Sequence, residues 1–271
     1  MHIFITGGAG FIGCNSADYF LQQGHEVTIF DNLSRKGGNS NLLWLNERFG
    51  AERYTFVQGD IREYGVLAEA IETAAPDVVL HLAGQVAVTT SVVNPREDFE
   101  INALGTFNVL EGVRMHAPEA AVLYASTNKV YGGMEEVKII EGATRYAYAD
   151  FPQGVPEGYP LDFHSPYGCS KGAGDQYMLD YARIYGLKTA VLRQSCIYGP
   201  RQFGVEDQGW VAHFVIAAVL ERPITIFGDG KQVRDLLHVH DLLRVYEMAI
   251  EQIDGIAGEA FNIGGGPENT L

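Results

Sequence analysis

Tyr167 and Lys171 are the pair in this chain best suited to moving a proton. At positions i and i+4 of one helix they share a face. A free phenol has a pKa of roughly 10 and is a poor base at neutral pH. A nearby ammonium and an oxidised nicotinamide both favour the phenolate. Thr127 can donate a hydrogen bond to the same substrate oxygen. Together the three suit interconversion of an alcohol and a ketone. That chemistry needs a hydride acceptor, and the chain opens with a place for one. Gly7, Gly10 and Gly13 follow the apolar run His2–Thr6 and precede a helical pattern. Glycines so placed let a pyrophosphate approach the backbone at the positive end of a helix. Asp31 ends the second predicted strand, where a carboxylate accepts from ribose hydroxyls and repels a 2′-phosphate. The coenzyme expected is therefore NAD rather than NADP, with Arg35 and Lys36 close enough to weigh the other way.

The elements that must position these groups are legible as an alternation. Strands are predicted at 2–6, 27–31, 54–58, 78–82, 121–125 and 189–193, and helices near 11–23, 40–49, 63–73, 97–116, 167–186, 208–220 and 240–251. Such alternation predicts an α/β fold with a doubly wound parallel (Rossmann) sheet. Asp60-Ile61 and Leu82-Ala83-Gly84-Gln85 then fall at the carboxyl ends of strands, where this architecture binds ligands. Helix 97–116 is apolar on more than one side, which predicts burial on two faces, one of them a candidate subunit interface. The apolar stretch 211–220 is too short to span a bilayer and reads as a buried helix. The stretch 133–166, rich in proline, glycine and tyrosine, reads as an ordered insertion reaching over the site.

The 271-residue chain is long enough for a sizeable core. A net charge of −15 disfavours nucleic acid and anionic membrane as partners. Cys14, Cys169 and Cys196 show no pairing pattern, and no signal peptide is visible at Met1, so a cytoplasmic location is expected. His238 and His240 could share a strand face, but no third ligand has suitable spacing and no metal site is expected. Asn269-Thr270 resembles the start of a helix, so the chain reads as stopping inside an incomplete lobe. The division expected is a dinucleotide-binding domain over 1–193 and 239–263, with a smaller, truncated substrate lobe over 194–238 and 264–271.

With these residues in hand, the chain resembles the extended short-chain dehydrogenase/reductase family over essentially its whole length. The likeness is carried by Thr6-Gly7-Gly8-Ala9-Gly10-Phe11-Ile12-Gly13, Gly59-Asp60-Ile61-Arg62, Asn102-Ala103-Leu104-Gly105-Thr106, Tyr167-Gly168-Cys169-Ser170-Lys171, Tyr198-Gly199-Pro200-Arg201 and Asn262-Ile263-Gly264. The resemblance implies hydride transfer at a carbon of a nucleotide-diphosphate sugar, with Thr127, Tyr167 and Lys171 as the catalytic group. More specific segments, Ser126 to Gly132, Asp162 to Tyr177 and Asp207 to Val211, resemble the branch that epimerises a CDP-hexose at C2. Epimerisation at C4 and an NAD-sensing protein without turnover are the competing readings. Asn128-Lys129 stands where the dehydratases of the family carry an Asp-Glu pair, which disfavours dehydration.

The resemblance further implies coenzyme contacts from Gly7, Gly10, Phe11, Ile12, Asp31, Asn32, Ser34, Arg35, Asp60, Ile61, Leu82, Ala83, Gly84, Gln85, Asn102, Tyr167 and Lys171. It implies substrate contacts from Gln85, Val86, Thr127, Asn128, Cys196, Arg201, Gln208 and Arg234. Arg201 and Arg234 are expected on the diphosphate, and a homo-oligomer is expected.

Overall fold

The computed structural model describes residues 1–266; Asn269-Thr270, the expected helix start, lies outside them. In chain order the elements are β1 (His2–Thr6), α1 (Phe11–Gln22), β2 (Glu26–Asp31), α2 (Gly38–Phe49), β3 (Thr55–Gln58), α3 (Tyr64–Ala74), β4 (Val78–His81), α4 (Val88–Val93) and α5 (Pro95–Phe99). A π-helical turn over Glu100–Leu104 leads into α6 (Gly105–His116) and β5 (Ala121–Thr127). There follow β6 (Ile139–Glu141), β7 (Tyr146–Tyr148), α7 (Ser165–Tyr185), β8 (Thr189–Gln194), β9 (Cys196–Tyr198) and α8 (Trp210–Val219). The last elements are β10 (Leu236–His238), α9 (Val239–Glu251), α10 (Ile253–Ile256) and β11 (Glu259–Ile263).

Seven strands pair in the order β11-β8-β5-β4-β1-β2-β3, all parallel. Side chains alternate across the sheet with the period of the pleat. Ile3, Ile5, Val78, Leu80, Leu123, Ala190 and Leu192 meet Phe20, Leu45, Leu242 and Tyr246 of α1, α2 and α9. Phe4, Val79, Val122, Tyr124 and Val191 meet Leu67, Ile71, Val109, Val113 and Met178 of α3, α6 and α7. A sheet covered on both faces explains the continuous apolar runs of its strands. Each fully buried Ile, Leu or Phe contributes about 1.5–3 kcal/mol.

The strand order reverses between β1 and β4, and a crevice opens outside their carboxyl ends. Beyond the large sheet, β9 and β10 form a parallel pair. In the proline-rich insertion β6 and β7 form an antiparallel hairpin. The insertion is tied to the carboxyl ends of β8 and β11: Arg193 donates to Glu157 O at 3.3 Å and Asn262 Nδ2 to Val155 O at 2.8 Å.

The helical stretch ending in α6 buries Val109, Leu110 and Val113 inside the chain, and Phe99, Leu104, Phe107 and Met115 stay exposed, which leaves open the face expected as a candidate subunit interface. One helix differs from expectation. In α8 only Ala217 is buried, because nothing among the described residues covers Val215 or Val219. Among the described residues no helix is long and apolar enough to cross a membrane.

Candidate active site

The first turn of α1 is built to receive an anion. Gly7 has φ +71° and its Cα packs so closely on the β4 turn that a Cβ there would meet Ala83 N at 2.7 Å. A Cβ on Gly13 would meet Gly7 O at 2.2 Å. No side chain caps the helix, which leaves its first N–H groups, those of Phe11 and Ile12 included, available to a phosphate. Asp31 is held rigidly beside this loop: Oδ2 accepts from Ala9 N at 3.0 Å and Oδ1 from Leu33 N at 2.7 Å. Burial pushes its carboxyl pKa up, and those two N–H bonds oppose the rise. Each oxygen keeps a lone pair for a ribose hydroxyl. These residues fit a dinucleotide.

Next to the loop, Asn32 donates to Asp60 at 2.8 Å and accepts from Ser34 N at 3.0 Å. Arg62 pairs with Asp60 at 2.7 Å and is the main reason its carboxyl is pulled down to about 2. Ile61 differs from expectation. Its side chain is packed in the core against Gly105, and its carbonyl accepts from Asn108 at 2.9 Å, so only its N–H remains for a ligand.

The turn after β4 is set by a buried relay that sequence reasoning missed. Thr106 donates to Asn102 O at 2.6 Å, so its oxygen accepts from His81 Nε2 at 2.9 Å. His81 Nδ1 then accepts from the Thr6 hydroxyl at 2.7 Å, and Thr6 Oγ1 accepts from Leu82 N and Ala83 N at 3.2 and 3.3 Å. His81 is the neutral Nε2–H tautomer; burial, then the charge of Lys171, pulls its pKa down to about 3.

Gln85 and Asn102 are placed differently from their expected ligand-facing role. Gln85 Nε2 donates to Ala87 O at 2.8 Å and Asp98 Oδ1 at 2.9 Å, and its Oε1 accepts from Ala87 N. Asn102 bonds the backbone of Gln85 in both directions, at 2.9 and 3.0 Å, and also reaches Asp98 and Ser170. Both amides are committed inside the scaffold, where they shape the turn containing Gly84 and Val86.

Thr127 ends β5, and α7 brings Tyr167 and Lys171 to it; Tyr167 is 7% and Lys171 5% exposed. The Thr127 hydroxyl contacts the Tyr167 phenol. Burial nevertheless pushes that phenol up to about 12, Thr127 opposing and Asp98 adding to the rise. The Lys171 ammonium donates to Ala125 O at 2.7 Å and lies 4.2 Å from the centre of the Tyr124 ring. Burial pulls Lys171 down to about 7, opposed by Asp175 and then Asp98.

Two sets of bonds seat α7. At its start, Tyr167 N donates to Ser91 Oγ at 3.2 Å, and Ser170 Oγ donates to Asp98 Oδ2 at 2.5 Å. Further along, Asp175 takes both arms of Arg193 at 2.9 Å and the Ser126 hydroxyl at 2.7 Å. Ser91, Asp98 and Arg193 carried no motif signal of their own; Ser170 and Asp175 lie inside the segment Asp162 to Tyr177.

The expected substrate contacts are dispersed. Asn128 is exposed beside Thr127, and the half-buried thiol of Cys196 lies on β9. Arg201 lies 5.0 Å from the Trp44 ring centre, whereas Arg234 folds onto its own loop, donating to Val233 O at 3.1 Å and Gln232 Oε1 at 3.2 Å. Gln208 accepts from Arg35, which lashes loop 200–209 to the coenzyme side of the crevice. A cavity of about 70 Å³ remains there, lined by Gly10, Phe11, Arg35, Arg201 and Gln208. His238 and His240 also depart from a shared strand face: His238 Nδ1 accepts from His240 N at 3.3 Å and caps α9.

Residues 3–264 match the family described as NAD dependent epimerase/dehydratase. The CDP-paratose 2-epimerase of Salmonella typhi is 52% identical over 276 residues, which span 100% of this chain and 81% of that protein. The UDP-glucose 4-epimerase of Thermotoga maritima, solved with UDP-glucose, superposes with a TM-score of 0.81 at 32% identity, covering 97% of this chain and 77% of that one. The UDP-glucose 4-epimerase of Thermus thermophilus, solved with NAD, gives a TM-score of 0.79 at 30% identity, with 97% and 78% covered. The glycine cradle and the fixed carboxylate beside it therefore have a plain meaning: this chain belongs to the NAD dependent epimerase/dehydratase family, and its coenzyme is NAD.

Proposed function

We propose that the protein is an isomerase that inverts C2 of a CDP-hexose, interconverting CDP-paratose and CDP-tyvelose through a transient keto sugar. The observation that carries this reading is the 52% identity to a CDP-paratose 2-epimerase across the whole chain. When bound, NAD supplies a reversible hydride acceptor and a cationic ring that favours the Tyr167 phenolate. Tyr167 takes the proton of the sugar hydroxyl and later returns it, and Thr127 steadies the same oxygen by a hydrogen bond. Lys171 supplies positive charge beneath them. The keto sugar turns over in the pocket between the two proton transfers.

On the coenzyme side we assign contacts to Gly7, Gly10, Phe11, Ile12, Asp31, Asn32, Ser34, Arg35, Asp60, Leu82, Ala83 and Gly84. On the substrate side we assign Val86, Asn128, Cys196, Arg201, Gln208 and Arg234, with the two arginines turning toward the diphosphate on binding. The substrate lobe in this reading is 194–238 and 264–271, of which 267–271 lie outside the described residues, carried by the dinucleotide-binding domain of 1–193 and 239–263. A homodimer is supported by an apolar stripe left open on α5, α6 and α7: Phe99, Phe107 and Met115 beside Tyr177, Ile184 and Tyr185. Three unpaired cysteines support a reducing, cytoplasmic location.

Incubation with CDP-, GDP- and UDP-hexoses in deuterated buffer tests the reading by NMR. Inversion at C2 of the CDP-sugar without solvent deuterium at that carbon is the expected result. Inversion of a UDP-sugar at C4 would replace it with the second reading, which the 4-epimerase neighbours support.

A further inference from the structure

One loop touches both banks of the crevice at the carboxyl ends of β1 and β4. It spans 200–209, between β9 and α8. On the β2 bank, Gln208 accepts from Arg35, and the ring of Phe203 sits so close on Gly37 that a Cβ there would meet it at 2.1 Å. On the β4 bank, the hydroxyl of Thr89 in α4 donates to Asp207 at 3.2 Å. Asp207 and Gln208 belong to one tight turn, closed by backbone bonds of 2.8 and 3.0 Å between Val205 and Gln208. At the two ends of the loop Arg201 and Gly209 hold left-handed φ of +66° and +74°, positions at which a loop can hinge.

Beneath this loop lies the phosphate end of the coenzyme cradle. Gly10 and Phe11, from the uncapped start of α1, line one cavity together with Arg201, Phe203 and Gln208 of the loop. Its volume of about 70 Å³ is well short of the roughly 300–1,000 Å³ of a ligand pocket, so a dinucleotide passes this point only when the loop lifts. Asn41 lines the same cavity at 2% exposure, and its Oδ1 has no partner among the described residues, an acceptor left for a ligand. Both tethers join protein to protein, so each has to break on the way in as well as on the way out.

We propose that loop 200–209 is a strap over the coenzyme: its tip, pinned to Arg35 on one bank and to Thr89 on the other, gates the entry and exit of NAD. The benefit rests on the proposed function, because an epimerase that regenerates its own oxidised coenzyme in each turnover has no need to exchange it; the gate itself does not. Sequence spacing hides the device, since Asp207 is 118 residues from Thr89 and Gln208 is 173 from Arg35.

The test is exchange of ¹⁴C-labelled NAD by the full chain without substrate. Release is read from loaded protein into excess unlabelled NAD, and capture from protein stripped of coenzyme. Thr89→Val keeps the shape of the side chain and removes the hydroxyl that donates to Asp207. Release and capture should both quicken by about 2- to 10-fold, because both scale with the fraction of protein whose strap is open. Asp207→Ala cuts the same bond from the other side, so it should match Thr89→Val, and combining the two should add nothing further. Adding Gln208→Ala to Thr89→Val frees the second tether and should quicken both rates again. Thr89 and Asp207 are exposed, so melting temperatures should stay near that of wild type. Unchanged rates in Thr89→Val/Gln208→Ala overturn the proposal. Faster release with capture unchanged or slower overturns it too, since Thr89 and Gln208 would then be ordinary contacts. If the stripped protein does not stay folded, release alone decides: equal, non-additive quickening in Thr89→Val and Asp207→Ala supports the strap, and any other pattern overturns it. NAD exchange needs no turnover, so failure of the strap and failure of the proposed reaction are read separately.

Discussion

The ammonium of Lys171 donates to the carbonyl of Ala125 at 2.7 Å, two residues before Thr127 on the same strand. One bond therefore fixes α7 against the end of β5 and sets the distance between the lysine and the strand that carries the threonine. It also holds the ammonium against the face of Tyr124. The phenol, pushed up to about 12, is not a base in the coenzyme-free protein.

Replacing Tyr167 by Phe removes one oxygen from a side chain that is otherwise packed. Epimerisation should fall about 100- to 10,000-fold, with coenzyme still co-purifying and a melting temperature near that of wild type. Product NMR together with release of NAD on denaturation checks it.

Lys171 makes stability depend on pH in a defined direction. Its pKa falls from an ordinary 10.5 to about 7 on folding, so between those values the unfolded chain holds a proton that the native state has released. Stability then rises with pH across that window, by up to about 1.4 kcal/mol per unit, and the penalty is complete below about 7. Urea unfolding from pH 6 to 9 should show wild type gaining on Lys171→Met as pH rises. A constant difference would refute the assignment.

His81 works in the acid range. Its pKa drops from 6.5 to about 3 on burial, so stability should decline as pH falls from about 6.5 toward 3, where the unfolded state alone takes up the proton. Ring ¹⁵N shifts should report a neutral Nε2–H tautomer that persists through this window. An imidazole titrating near 6.5 would break the relay argued for Thr6, His81 and Thr106.

The Asp175–Arg193 pair is buried on both sides and bonded through both arms. Asp175→Asn should destabilise by about 3–5 kcal/mol, because it strands a buried guanidinium. The double change Asp175→Leu/Arg193→Met should cost less than either single one, as measured by urea unfolding.

The parallel sheet, its helices and the Gly7–Gly13 cradle were legible because they follow from local periodicity and from glycines that only a tight turn explains. The pairing of Thr127 with Tyr167 was legible for a related reason: in a doubly wound sheet the end of β5 and the start of α7 have to meet. Gln85, Asn102 and Ile61 misled because their type and place suit a ligand, while their hydrogen bonds and packing are spent on partners distant in the chain. Sequence likewise read the apolar residues of α8 as buried, since hydrophobicity alone does not say what lies above a face.

By itself the amino-acid order determined the kind of fold, the coenzyme cradle and the chemistry that Thr127, Tyr167 and Lys171 are able to perform, since each rests on spacing within one or two adjacent elements. Only the tertiary structure decided the charge environment of those groups. The elements that enclose Lys171 and Tyr167 are distant in the chain, and it is burial among them, with water excluded, that lowers the lysine to about 7 and raises the phenol to about 12, while Asp175 and Asp98 oppose the fall of the lysine.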